Sequence, residues 1–146
     1  MDGEDQSRPS QGGFAMMTKR GAGAEAHALT VKRVYAPPRD NDGLRVLVDR
    51  LWPRGVTKEK ARIDLWLKEI APSHELRKRF HGNPELWDEF KAAYARELTQ
   101  EPARHHVNEI LERLRETPVT LLYAARDEDR NNAVALRDWL LARGNT

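Results

Sequence analysis

From Leu29 onward, short β-branched or apolar runs alternate with longer stretches in which apolar residues recur every three or four positions. Leu29 to Tyr35 (LTVKRVY) reads as a strand that stops at Pro37-Pro38, since proline cannot donate to a ladder. Asp40-Asn41-Asp42-Gly43 reads as a tight turn in which Gly43 supplies positive φ. Leu44 to Asp49 (LRVLVD), apolar in its middle, is expected to be a strand covered on both faces and to end before Pro53 and Gly55. Thr57 can cap a short helix. Ile63 to Leu67 alternates as a strand would, although Leu67 and Ile70 also fit a helix.

Pro72-Ser73 resets the chain, with Ser73 as N-cap of a helix from His74 to Phe80. Asn83-Pro84 is a cap-plus-first-residue pair, and behind it Leu86, Phe90, Tyr94 and Leu98 form a stripe expected to face the core. Pro102 opens a helix carrying Val107, Ile110, Leu111 and Leu114 at i, i+3, i+4 and i+7. Val119 to Ala125 (VTLLYAA), the most apolar run, is expected to be the central strand. The last helix should run from about Asn131 to Arg143, with Ala133, Leu136 and Leu140 inward and Gly144 ending it. The class is α/β: a small mixed sheet in a single domain, with helices packed on it. A wholly parallel order is not expected, because Tyr35 and Leu44 are too close for a helical crossover.

Composition adds boundaries. Residues 1–28 are rich in Gly, Ala, Ser and Gln and show no period, so a disordered tail is expected there, with the folded domain over 29–144. Met16 and Met17 are alternative starts, and no apolar run in the tail suits a signal peptide. The absence of cysteine excludes disulfides, thiolate nucleophiles and Cys-ligated zinc, and with no long apolar run it suits the cytoplasm. The tail holds three basic and four acidic side chains, so of the net charge of +2 about +3 belongs to the domain. That is mildly basic, short of the patch an obligate nucleic-acid binder carries.

Two strand ends gather polar residues: Asp49-Arg50-Leu51-Trp52-Pro53-Arg54-Gly55, and Arg126 to Asn132 (RDEDRNN) before the last helix. Ligands of open α/β sheets collect beyond the carboxyl ends of strands, where helix N-termini favour anions. If the two strands run parallel, Arg50, Arg54 and Arg126 would converge on one anion. The alternative is that Asp49 pairs with Arg50 or Arg54 to fasten a loop while Trp52 plugs the core.

RVLVDRLWPRG, WLKEIAPSHELRKRFHG and VTLLYAARDEDRNNAVALRDWL, in that order, closely resemble the YeaO-like branch of the bacterial family called domain of unknown function 488. The resemblance covers about residues 30–143 and implies a small cytoplasmic α/β protein. Positions matching the branch are Asp49, Arg50, Trp52, Pro53, Arg54, Gly55, Ala71, Pro72, Ser73, Tyr123, Asn131 and Asn132. In the wider family two cysteines and a glutamate often stand near the penultimate strand and last helix. Here Tyr123, Ala125 and Asn131 hold those places, so the thiol or metal chemistry of such relatives does not carry over.

No pattern calls for a cofactor or a metal. Asp127, Asp129 and Asn131 open like a calcium loop, but Asn132 stands where glycine is required and Asp138 where glutamate is. His105 and His106 point about a hundred degrees apart on a helix and are not expected to chelate together. Ser73 is better explained as a cap than as a nucleophile, and His81 is the one histidine placed like a functional group. The leading expectation is a small anionic ligand, a nucleotide or phosphate ester. Arg50, Arg54 and Arg126 would bind its charge, with Trp52 and Tyr123 in the site and Asn131 and Asn132 as donors. Asp49 is a weak candidate base, because flanking arginines oppose the raised pKa a base needs. Two alternatives stand beside it. A nucleic-acid accessory role is suggested by the pI of about 9 and the cluster His74, Arg77, Lys78, Arg79, Arg104, His105 and His106. A protein-binding module is suggested by the four tryptophans. No reaction and no oligomeric state follow from these residues.

Overall fold

The structure, a computed structural model, describes residues 27–144; the expected tail at 1–28 falls almost wholly outside them. Four strands, β1 (Leu29–Arg33), β2 (Leu44–Leu47), β3 (Leu65–Trp66) and β4 (Val119–Tyr123), form one sheet in the order β1-β4-β2-β3. Five helices accompany it: α1 (Lys58–Ala61), α2 (His74–Phe80), α3 (Trp87–Leu98), α4 (Ala103–Leu114) and α5 (Asn132–Gly144). The chain is a single α/β unit, as expected, with Val119–Tyr123 inside the sheet and fully buried.

Strand direction departs from expectation. Every pairing among the described strands is parallel, so the mixed sheet is corrected to a parallel one. β1 and β2 are not neighbours, because β4 lies between them. Residues 34–43 therefore return along one strand and cross two spacings, about 16 Å in all, while ten residues reach about 33 Å. A helix is unnecessary; one 3-10 turn at Asp40–Asp42 suffices.

Period-two alternation sorts the two faces. Val46, Val48, Val119, Leu121 and Tyr123 belong to the large core with Tyr94 and Leu98 of α3, Val107, Ile110 and Leu114 of α4, and Leu136 and Leu140 of α5. Leu47 and Leu122 face the other way, toward Val34, Ala61 and Ile63. That second face also carries a polar row, since Thr30, Thr120 and Arg45 stand abreast on β1, β4 and β2. Arg45, 1% exposed, is held by Asp42 and by the Ala61 carbonyl. Asp42 also accepts from Lys32 and the Arg39 N–H, and its own carbonyl accepts the Thr120 hydroxyl. Burial opposes ionisation of Asp42, but the Arg39 N–H and the two cations outweigh it and hold its carboxyl below the ordinary range.

Capping follows the sequence at Thr57 and Ser73, but not at Asn83, whose side-chain amide donates to the His81 carbonyl instead of its oxygen capping the turn at Pro84. The Thr57 hydroxyl accepts the Lys60 N–H, and that of Ser73 accepts the Leu76 N–H. Gly43 has φ +68°, and a Cβ there would lie 2.1 Å from the Pro118 carbonyl oxygen, so only glycine lets β2 enter beside β4.

Asp42→Ala is expected to lower unfolding stability by about 3–5 kcal/mol at pH 7, because it strands a buried guanidinium. The loss should read as a lower urea midpoint at unchanged slope. A depressed carboxyl stabilises the fold above its unfolded pKa and loses that contribution as pH falls, so the deficit should shrink below about pH 4. A deficit under about 1 kcal/mol at pH 7 would mean that the pair is not a fastening of this face.

Candidate functional site

The parallel order brings the ends of β2 and β4 side by side, and α5 begins just beyond them. The Asp49 carboxylate joins all three. One oxygen accepts the Ala124 N–H at 2.9 Å, and the other accepts the Asn132 side-chain amide at 3.1 Å. The same amide donates to the Val48 carbonyl at 3.0 Å. Burial pushes the Asp49 carboxyl up, and the hydrogen bonds from Asn132 and Ala124 and the charge of Arg77 only partly offset it. The expectation that flanking arginines would hold this carboxyl down is thus reversed. Arg50 turns away, donating to the Ala71 and Pro72 carbonyls, and Asp49 makes no ion pair with Arg50 or Arg54.

The following loop is pinned by tryptophans. Trp66 donates to the Asp49 carbonyl and Trp52 to that of Val56, and their rings meet edge to face at 5.3 Å. Trp52 is 36% exposed and braces the loop; it does not plug the core. The Arg33 guanidinium donates to the Ala124 and Ala125 carbonyls, fixing the start of the opposite loop.

Between these loops and α2–α3 lies a cavity of about 680 Å³, within the range of small-molecule sites. Asp49 and Asn132 lie at its strand side, with Arg50, Trp52, Arg126 and Asn131 also on its wall. Arg54 does not line it: its side chain is exposed, and its carbonyl accepts the Tyr35 hydroxyl. Tyr123 is buried in the core, where burial first, and then Glu128, raise its phenol. Asn131 is spent as the N-cap of α5, its oxygen accepting the Val134 N–H and its amide donating to the Asp127 carbonyl. Of the further positions singled out by resemblance, Pro53, Ala71 and Pro72 line the cavity. Ser73 does not; it caps α2 and donates to Glu97.

Apart from His81, the opposite wall was not legible in the sequence. It brings Arg77, Phe80, Trp87 and Phe90, together with His81, to face Arg126 and Arg130. Phe90 had been expected on the core stripe of α3, but only Tyr94 and Leu98 of that stripe are fully buried. Trp87 and Phe90 stack at 5.6 Å, and Phe80 meets Phe90 edge to face. Among the described residues, the side chains of Arg77, Arg126 and Arg130 have no hydrogen-bond or ion-pair partner within the protein. Four arginines against two aspartates leave the lining positive.

Other sequence-derived groups fall elsewhere. An Asp127 oxygen accepts the Asp129 and Arg130 N–H groups, so the acidic triplet builds a turn. Arg104 pairs with Glu101, which weakens the basic cluster. His105 and His106 require a correction. Their rings rotate to meet edge to face at 5.4 Å, and with Glu109 they bring ligand atoms within 4.8 Å of one another. The angle between Cβ directions does not bind side chains with two free torsions.

Asp49→Asn is expected to destabilise the protein by about 1–3 kcal/mol, since a carboxamide accepts where it faces one donor but opposes the other. Because the Asp49 pKa is raised in the fold, its contribution is full at acid pH and falls as pH rises through the folded value. The variant's deficit should therefore be larger at pH 4 than at pH 7 in urea titrations. A deficit that grows toward neutral pH would contradict the burial of this carboxylate.

Residues 28–146 match the family described as the inactive DUF488-N3 subclade. Over 112 residues the chain is 45% identical to "Uncharacterized protein YeaO" of Escherichia coli K12, covering 77% of this chain and 96% of that protein. It is 42% identical over 115 residues to "Uncharacterized protein Rv3073c" of Mycobacterium tuberculosis H37Rv, covering 79% and 95%, and to "Uncharacterized protein Mb3100c" of Mycobacterium bovis over the same extent. No solved structure matches the chain. The match spans the whole sheet, both loops of the cavity and the α2–α3 wall: the chain belongs to the DUF488-N3i family, the YeaO-like, inactive DUF488-N3 subclade.

Proposed function

We propose that the cavity at the strand ends binds a small anionic ligand bearing a flat ring, a nucleotide or an aromatic phosphate ester, and that the protein acts by binding it. One observation carries this reading: three arginines whose side chains make no hydrogen bond or ion pair among the described residues line a single cavity beside a stacked aromatic wall. A guanidinium offers a planar fork of donors suited to phosphate. A base stacked on an aromatic side chain gains about 1–3 kcal/mol. The start of α5 adds a positive partial charge on the same side. The aspartate at the strand side favours a ligand whose anionic group stays among Arg77, Arg126 and Arg130 while a hydrogen-bond donor reaches toward Asp49.

Binding without a covalent step is supported by the lining, which holds no Ser, Thr, Cys or Lys, and by the family's description as inactive. Asp49 has the raised pKa of a general base, but both its oxygens already accept hydrogen bonds from the protein. No described helix is long and apolar enough to cross a membrane.

A thermal-shift panel of nucleoside mono- and diphosphates and aryl phosphates should contain members that raise the melting temperature. Arg126→Ala with Arg130→Ala should weaken the best of them about 10- to 100-fold in calorimetry, as expected for lost charge-assisted bonds. Arg54→Ala, outside the cavity, should leave affinity unchanged. Binding that survives the double variant would overturn the assignment. Affinity for mixed-sequence DNA that falls steeply with salt and ignores these variants would favour the nucleic-acid reading.

A further inference from the structure

Away from the cavity, α4 and the 3-10 turn Lys68–Ile70 bring two imidazoles and two carboxylates together. His105, His106 and Glu109 present ligand atoms that all lie within 4.8 Å of one another. Glu69 approaches from the turn, its carboxylate 3.6 Å from Nε2 of His106, while Nδ1 of the same ring is 3.3 Å from Glu109. Ligands of one tetrahedral zinc stand about 3.3 Å apart, given bonds of about 2.0–2.1 Å. The cluster is thus within about 1.5 Å of a coordinating arrangement, a distance that side-chain torsions cover.

We propose that His105, His106 and Glu109 form a binding site for a divalent transition ion, with zinc as the expected occupant, water completing its coordination and Glu69 beside the far nitrogen of the His106 ring, orienting it. Imidazole nitrogen with carboxylate oxygen and no thiolate selects zinc, nickel or copper over magnesium and calcium. Glu109 and His105 are one helical turn apart, the spacing that lets two side chains of one helix share an ion. Glu69, on a different segment, faces the other nitrogen of the His106 ring, so an ion here bears on residues 68–70 only through that ring.

The test is calorimetric titration of the untagged full chain with zinc chloride, beside thermal melts and visible spectra with cobalt. One zinc per chain is expected, with a rise in melting temperature and cobalt bands of four- or five-coordination. His105→Ala and His106→Ala should each weaken zinc at least tenfold, and Glu69→Gln should reduce the thermal gain, whereas His74→Ala, removing an exposed imidazole on α2, should change nothing. His105 is exposed, so its variant reads the site with little risk to the fold. Binding that is absent, that fails to saturate at one ion per chain, or that is equally strong in His105→Ala and His106→Ala overturns the proposal.

Discussion

The Asp49 carboxylate is the point at which two strands and a helix are held together. Parallel strands leave their last N–H groups without partners where the ladder stops, and each must be satisfied or reach water. Here one oxygen takes the Ala124 N–H at the end of β4, and the other takes the amide of Asn132, which also satisfies Val48 at the end of β2. Removing a carboxylate from water is costly, and its raised pKa is the signature of that cost. In return, the two loops that frame the cavity leave the sheet in fixed directions. Arg33 and Trp66 complete the arrangement by gripping the carbonyls of Ala124, Ala125 and Asp49.

The charge arrangement then has a physical logic. Asp49 and Arg50 are both committed to the protein, so neither is a freely moving charge. Arg77, Arg126 and Arg130 sit farther out, exposed and without ion-pair partners among the described residues. The two sheet faces divide labour in a similar way. One carries the large apolar core under α3, α4 and α5, while the other is fastened by Asp42, Arg45 and Lys32.

Much of the fold was legible because its signals are local. Thr57 and Ser73 as caps, Gly43 at positive φ, the Val119–Tyr123 strand and the inward positions of α4 and α5 each follow from short-range chemistry. Strand direction was not local: the insertion of β4 between β1 and β2 depends on a segment some seventy residues later. The site was half legible for the same reason. Polar strand ends pointed to Asp49, Arg50, Trp52, Arg126 and Asn132, all of which line the cavity. Arg54 and Tyr123, chosen from the same segments, do not, because the loop carries Arg54 past the cavity into solvent and the sheet turns Tyr123 into the core. The α2–α3 wall was missed because Phe90 and Leu86 at helical spacing read as core, and only tertiary packing leaves them beside a cavity.

The central claim is that the cavity between the Asp49 and Arg126 loops is an anion site. It is tested most directly by titrating inorganic phosphate into isotopically labelled protein and following backbone amide shifts. The account predicts saturable shifts confined to residues 49–52, 77–82 and 124–133, with the arginine side-chain signals of the cavity moving together. Small, non-saturating shifts scattered over the exposed lysines and arginines would contradict it.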